Sequence, residues 1–162
     1  MIARAADGAP ALVGSDRQSG KDWFNSLIAV APDGSIAAIY DKSRLVPFGE
    51  YQPWILPLNV LPGVLTPGPG LKTWDLPGLG RVGPMVCYEI IFSGSVTARN
   101  DRPDWLVTIS NDAWYGNSAG PRQHLATGRM RAVEEGLPVV FANNTGLSAI
   151  YDAPGHETAR LG

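Results

Sequence analysis

The chain has 162 residues, a formal net charge of −2, and 44% hydrophobic against 17% charged residues. That length suits one domain with a sizeable core, and the composition excludes wholesale disorder. A pI near 5.6 with no basic block excludes the electrostatic footprint of a nucleic-acid binder.

A single cysteine rules out an internal disulfide framework. Two isolated histidines, His124 and His156, with no second cysteine speak against a zinc site, and no cofactor is expected. No run approaches the roughly 20 apolar residues of a membrane span. The opening "MIARAADGAP" lacks the apolar core of a signal peptide.

In chain order, "WFNSLIAVAPDGSIAAIYDKSRL" reads as a hairpin around Pro32-Asp33-Gly34, where proline presets φ and glycine accepts a positive φ. Residues 47–80 are rich in proline and glycine, without clear periodicity, and read as a long loop. Trp54, Ile55, Leu56, Leu58, Val60 and Leu61 make that loop apolar. Either it folds over the core or it meets a partner, ligand or membrane. "RVGPMVCYEIIF" predicts a short buried strand running into a turn or helix start, and "DWLVTIS" a second strand. After the loop "NDAWYGNSAGPRQ" comes helical periodicity. Leu125, Met130 and Val133 share one face, with Arg122, Arg129, Arg131, Glu134 and Glu135 largely outside it, and Gly136 and Pro138 end the run. "PVVFANN" and "LSAIYD" predict two more strands joined at Thr145-Gly146. Strands alternating with a helix indicate a layered α/β architecture.

Three groups carry chemistry. Cys87 ends an apolar strand and is followed by Tyr88 and Glu89. A lone cysteine is commonly a small core residue. On a strand-to-helix turn it is instead an exposed nucleophile, with the next backbone N–H available to an oxyanion. Lys42 follows the hairpin, and Glu50 lies eight residues on, past Pro47 and Gly49. A cysteine acting on an acyl group needs a base, a cation or donor for the oxyanion, and groups holding them in register. Lys42 fits the cation, and Glu50 or Glu89 the group that orients it. His124 reads as a packing or capping residue. Asn111 and Asp112 shape a pocket or end a strand, and Asn143, Asn144 and Gly146 read as turn residues.

Three segments in order, "YDKSRLVPFGEY", "VCYEIIF" and "SNDAWYGNSAGPRQHLATGRMRAVEEGLPVVFANNTG", closely resemble the nitrilase-like domain of the apolipoprotein N-acyltransferases, within the carbon–nitrogen hydrolase superfamily. The resemblance runs from about Trp23 to Asp152. It implies a four-layer αββα sandwich, here partial. It also implies Cys87 as nucleophile, Lys42 as catalytic lysine, Glu50 as a second essential glutamate, Tyr88 and Glu89 as supports, and Trp114 near the substrate pocket. The implied reaction is acyl transfer from a phospholipid, through a cysteine thioester, to the N-terminal amine of a diacylglyceryl-cysteine lipoprotein. The implied location is the bacterial inner membrane, with catalysis on the periplasmic side. Membrane contact would come through flanking helices and the 51–65 loop.

One departure stands out. The family's general base is a glutamate upstream of the lysine, and this chain has no glutamate before Glu50. The expectation is therefore that residues 1–162 form part of a domain, lacking the strand with that glutamate and the flanking membrane helices. Two other readings stay open: a soluble carbon–nitrogen hydrolase that uses water as acceptor, and an inactive fragment.

Overall fold

A computed structural model describes residue 2 and residues 6–52 and 64–162. Trp54 through Leu61, the apolar part of the long loop, lie outside the described residues.

The chain builds two sheets. The first is antiparallel, in the order β1 (Ala11–Ser19), β2 (Asp22–Val30), β3 (Ile36–Asp41). β2 and β3 are the expected hairpin. Gly34 takes φ 88°, and the Asp33 carboxylate accepts both the backbone N–H (2.9 Å) and the hydroxyl (2.6 Å) of Ser35. The second sheet runs β4 (Trp74–Leu76), β5 (Gly80–Val86), β6 (Trp105–Ser110), β7 (Val139–Asn143), β8 (Ser148–Tyr151), β9 (Glu157–Leu161) in sequence order. β5, β6 and β7 are parallel, and the remaining pairs antiparallel. The helix α1 (Gly120–Glu135) connects β6 to β7.

Alternation along the central strands makes two cores. Val82, Val86 and Val107 face the small sheet and pack with Leu27, Ala29, Tyr40, Trp74 and Leu76. Met85, Leu106, Val139 and Phe141 face the other way, onto Leu125 and Ala132 of α1. The layers are thus sheet, sheet and helix, an α/β sandwich as the sequence leads one to expect.

The helix corrects one expectation. His124, Leu125, Gly128, Arg131 and Ala132 are its buried residues, whereas Met130 and Val133 are 58% and 57% exposed. The buried stripe is narrow because the helix lies close to the sheet: a Cβ on Gly128 would come within 2.9 Å of the Phe141 ring. Arg131 is buried against expectation, with its Nε 3.0 Å from Glu134.

The 47–80 segment is also not loop throughout, because Trp74–Leu76 pairs with β5. Its signal is three residues long, with Trp74 and Leu76 buried and Asp75 exposed. β1 and β9 were not foreseen. β9 is exposed along its whole length and β1 has no buried residue, so neither carries a core-facing pattern.

Candidate active site

The carboxyl ends of β5, β6 and β7 open on a cleft of about 1110 Å³ whose wall includes Cys87, Glu50, Trp114, Asn111 and Asn143. Cys87 stands at the junction of β5 and a single 3-10 turn, Cys87–Ile91, and adopts φ 51°. For a residue with a Cβ this left-handed conformation is sparsely populated and costs free energy unless its surroundings enforce it.

Glu89 is one enforcer. Its carboxylate is buried and reaches back to accept the Val86 N–H (2.8 Å) at the start of the turn. Its other oxygen accepts the Tyr40 hydroxyl (2.7 Å), the Ser43 N–H (2.8 Å), the Ser43 hydroxyl (2.6 Å) and the Arg44 N–H (3.2 Å). One carboxylate therefore ties the turn bearing Cys87 to the segment after Lys42. Burial first, and then the Glu89 charge, push the Tyr40 phenol far above its ordinary pKa, so it stays a donor.

Lys42 follows β3 and is completely buried. Its Nζ donates to Glu50 Oε1 at 2.6 Å. Of the two carboxylates considered for Lys42, Glu50 takes it, while Glu89 serves the turn. Glu50 is set by a tight loop: its N–H donates to Val46 O (2.9 Å) and its Oε2 accepts the Val46 N–H (2.8 Å). Phe48 in that loop has φ 63°. Behind Lys42, Gly68 donates its N–H to the Lys42 carbonyl at 2.8 Å. A Cβ at Gly68 would fall 2.0 Å from the Asp41 carbonyl oxygen, so no other residue fits there. Lys42 does not line the cleft; Glu50 stands on the wall.

Trp114 is 69% exposed, and its ring edge lies over Gly49, on the cleft rim. Tyr88 points elsewhere. Its ring packs edge-on against Phe92 with centroids 5.0 Å apart and does not line the cleft.

Sequence reasoning passed over a network on the opposite side of Cys87. Asp112 is buried and accepts from Ser110 Oγ (2.9 Å) and Asn143 Nδ2 (2.7 Å), and its Oδ1 lies 2.8 Å from His124 Nδ1. The His124 Nε2 lies 3.3 Å from the Cys87 carbonyl oxygen. Burial acts to raise the Asp112 pKa, but the hydrogen bond and charge of His124, with Asn143 and Ser110, outweigh it and hold the carboxyl below the usual range. The Tyr115 pKa is raised, by burial first and then by the charges of Cys87 and Asp112. These residues come from β6 and the 3-10 turn after it (Asp112–Tyr115), from α1 and from β7, so only the fold joins them.

Among the described residues there is no group of three or more His, Cys, Asp or Glu able to hold a metal ion, and no helix long and apolar enough to cross a membrane.

The family model for carbon–nitrogen hydrolases matches residues 1–162. The chain belongs to the carbon–nitrogen hydrolase family. The apolipoprotein N-acyltransferase of Bradyrhizobium diazoefficiens is 44% identical over 147 residues, and that of Rhodopseudomonas palustris 42%. Each match covers 86% of this chain and 27% of the relative, so the chain spans about a quarter of their length. Among solved structures, a nitrilase-superfamily amidase from Nesterenkonia AN1 aligns with TM-score 0.72 at 19% identity, over 99% of this chain and 60% of the amidase. A carbon–nitrogen hydrolase superfamily protein from Xanthomonas campestris aligns with TM-score 0.70 at 22% identity, over 95% and 58%. These two likenesses establish the sandwich fold.

Proposed function

We propose that this chain is the cysteine-bearing part of an apolipoprotein N-acyltransferase, with Cys87 as the nucleophile that carries the acyl group. The observation behind this reading is the positive φ at Cys87, on a strand-to-turn junction that opens into the cleft and is braced by Glu89. Relatives named for the activity, at 42–44% identity, favour acyl transfer over amide hydrolysis.

The Cys87 thiolate attacks the carbonyl of a phospholipid acyl ester. The lysophospholipid leaves with the proton that the general base took from the Cys87 thiol, and a thioester remains on Sγ. The α-amine of a diacylglyceryl-cysteine then attacks that thioester and gives a proton to the same base, forming the amide and returning the thiolate. A thioester suits this route because amines attack it readily where water is kept out. Oxyanion stabilisation falls to the Lys42 charge and to the Tyr88 N–H, one of the first donors of a helical turn and so without a partner inside it. Glu50 fixes Lys42, Glu89 fixes the turn, and Trp114 contacts substrate at the rim. The proton acceptor for Cys87 is a glutamate outside residues 1–162, and without it these residues alone turn over negligibly, since base catalysis contributes about 10²–10⁴-fold. Membrane-embedded segments beyond this domain place the reaction at the periplasmic face of the inner membrane, and the 51–65 segment admits lipid.

The test is acceptor choice. The full-length protein in mixed micelles with phospholipid should N-acylate a diacylglyceryl-cysteine peptide. Release of free fatty acid with no acylated peptide would favour the hydrolase reading instead.

A further inference from the structure

His124 has a buried side chain and an acceptor at each ring nitrogen. Nδ1 faces Asp112 Oδ1 at 2.8 Å, and Nε2 faces the Cys87 carbonyl at 3.3 Å. A backbone carbonyl only accepts, and an ionised carboxylate only accepts. A neutral imidazole carries one N–H and would leave one of these contacts as two lone pairs face to face. Asp112 already takes hydrogen bonds from Ser110 Oγ and Asn143 Nδ2, which hold it as the carboxylate. Among the described residues, Tyr115 also packs beside the ring, with centroids 6.1 Å apart, and Cys87 meets it through its carbonyl. Phe141 closes one side, edge-to-face at 5.0 Å.

We infer that His124 is held as a doubly protonated imidazolium and serves as the positioning residue for Cys87, its Nε2–H fixing the Cys87 carbonyl so that the residue keeps its positive φ. The inference rests on the reading of Cys87 as nucleophile. It adds a second brace: Glu89 holds the Val86 N–H, one peptide unit before the one that enters Cys87, and His124 holds the peptide leaving Cys87. The Cys87 carbonyl belongs to the same peptide unit as the Tyr88 N–H, so clamping the oxygen also aims the proposed oxyanion donor. Displacing such a group by about 1 Å costs on the order of 10²-fold in rate.

Two measurements test this. Only His124 and His156 contribute imidazole signals in the 162-residue chain, so His156→Gln assigns them in ¹⁵N NMR. At neutral pH both His124 nitrogens should carry a proton, and a spectrum with one bare nitrogen overturns the imidazolium. His124→Gln keeps a donor at the Nε2 position, whereas His124→Asn keeps one only near Nδ1. In the full-length protein, acyl loading of Cys87 should fall about 10²-fold in rate for His124→Asn, with phospholipid KM unchanged, and within a few-fold for His124→Gln. The Cys87 carbonyl ¹³C signal should move in the asparagine variant and stay in the glutamine variant. Equal losses in the two variants, or a carbonyl signal indifferent to both, overturn the positioning role. Failure of the unmutated full-length protein to load acyl groups would sink the Cys87 reading and the positioning role with it, while the ring spectrum still decides the charge.

Discussion

Two buried carboxylate contacts stand near Cys87, and they differ in kind. On the small-sheet side, Lys42 and Glu50 meet at 2.6 Å, eight residues apart in sequence. On the helix side, Asp112 and His124 meet at 2.8 Å and are completed by Asn143, which β7 brings in. The first pair puts a carboxylate on the cleft wall and keeps its cation buried. The second touches Cys87 through its backbone. The contrast separates a carboxylate on the cleft wall from a network that holds the turn bearing Cys87.

The largest effect should come from splitting the Lys42–Glu50 pair. Lys42→Met leaves Glu50 unpaired and should cost about 3–5 kcal/mol of stability. Lys42→Met with Glu50→Gln should recover most of that stability in denaturant melts, yet no acyl loading. Recovered loading would show that this pair is only structural.

Glu89→Gln comes next. It replaces one acceptor oxygen with an amide that faces the Val86 N–H or the crowded donors of Tyr40, Ser43 and Arg44. A buried donor left without its acceptor costs about 1–3 kcal/mol, to be read as a lower urea midpoint. An unchanged midpoint would remove Glu89 as the brace shared by both sides.

Gly68→Ala should cost about 1–3 kcal/mol by overpacking against Asp41, and should lower acyl loading through the shifted Lys42. A neutral alanine would mean that the backbone behind Lys42 is slack.

Acid titration gives the smallest expected effect, and comparing Asp112→Asn with the unmutated protein isolates the helix side's share of it. Asp112 has a native pKa below its ordinary value of 3.8, so around that value the unfolded chain binds more protons and stability rises with pH. The contribution is complete above pH 3.8 and is lost as pH falls through the depressed native value. Asp112→Asn should make that limb shallower and leave the small-sheet side unaffected. A limb as steep in the variant would place the acid sensitivity elsewhere.

The difference between the two sides also explains what sequence could reveal. Lys42, Glu50, Cys87 and Glu89 sit in short contiguous segments, where a strand end and a turn make their placement readable. The hairpin at Gly34, the strand ending at Cys87 and the helix stop at Gly136 (φ 62°) were legible for the same local reason. His124 and Asp112 look like a helix residue and a strand terminator until β6, α1 and β7 bring them together. The helix face was misread because apolar residues were assumed to point inward. A close helix–sheet approach instead selects small residues, Gly128 and Ala132, and leaves Met130 and Val133 outside. β9 was invisible because an exposed strand carries no apolar alternation.

The central claim is that Cys87 carries the acyl group, and intact-protein mass spectrometry tests it most directly. After incubation with phospholipid, the full-length protein should gain one hydroxylamine-sensitive acyl mass, mapped to the peptide containing Cys87 and missing from Cys87→Ala. An adduct of the same mass that persists in Cys87→Ala would contradict the account.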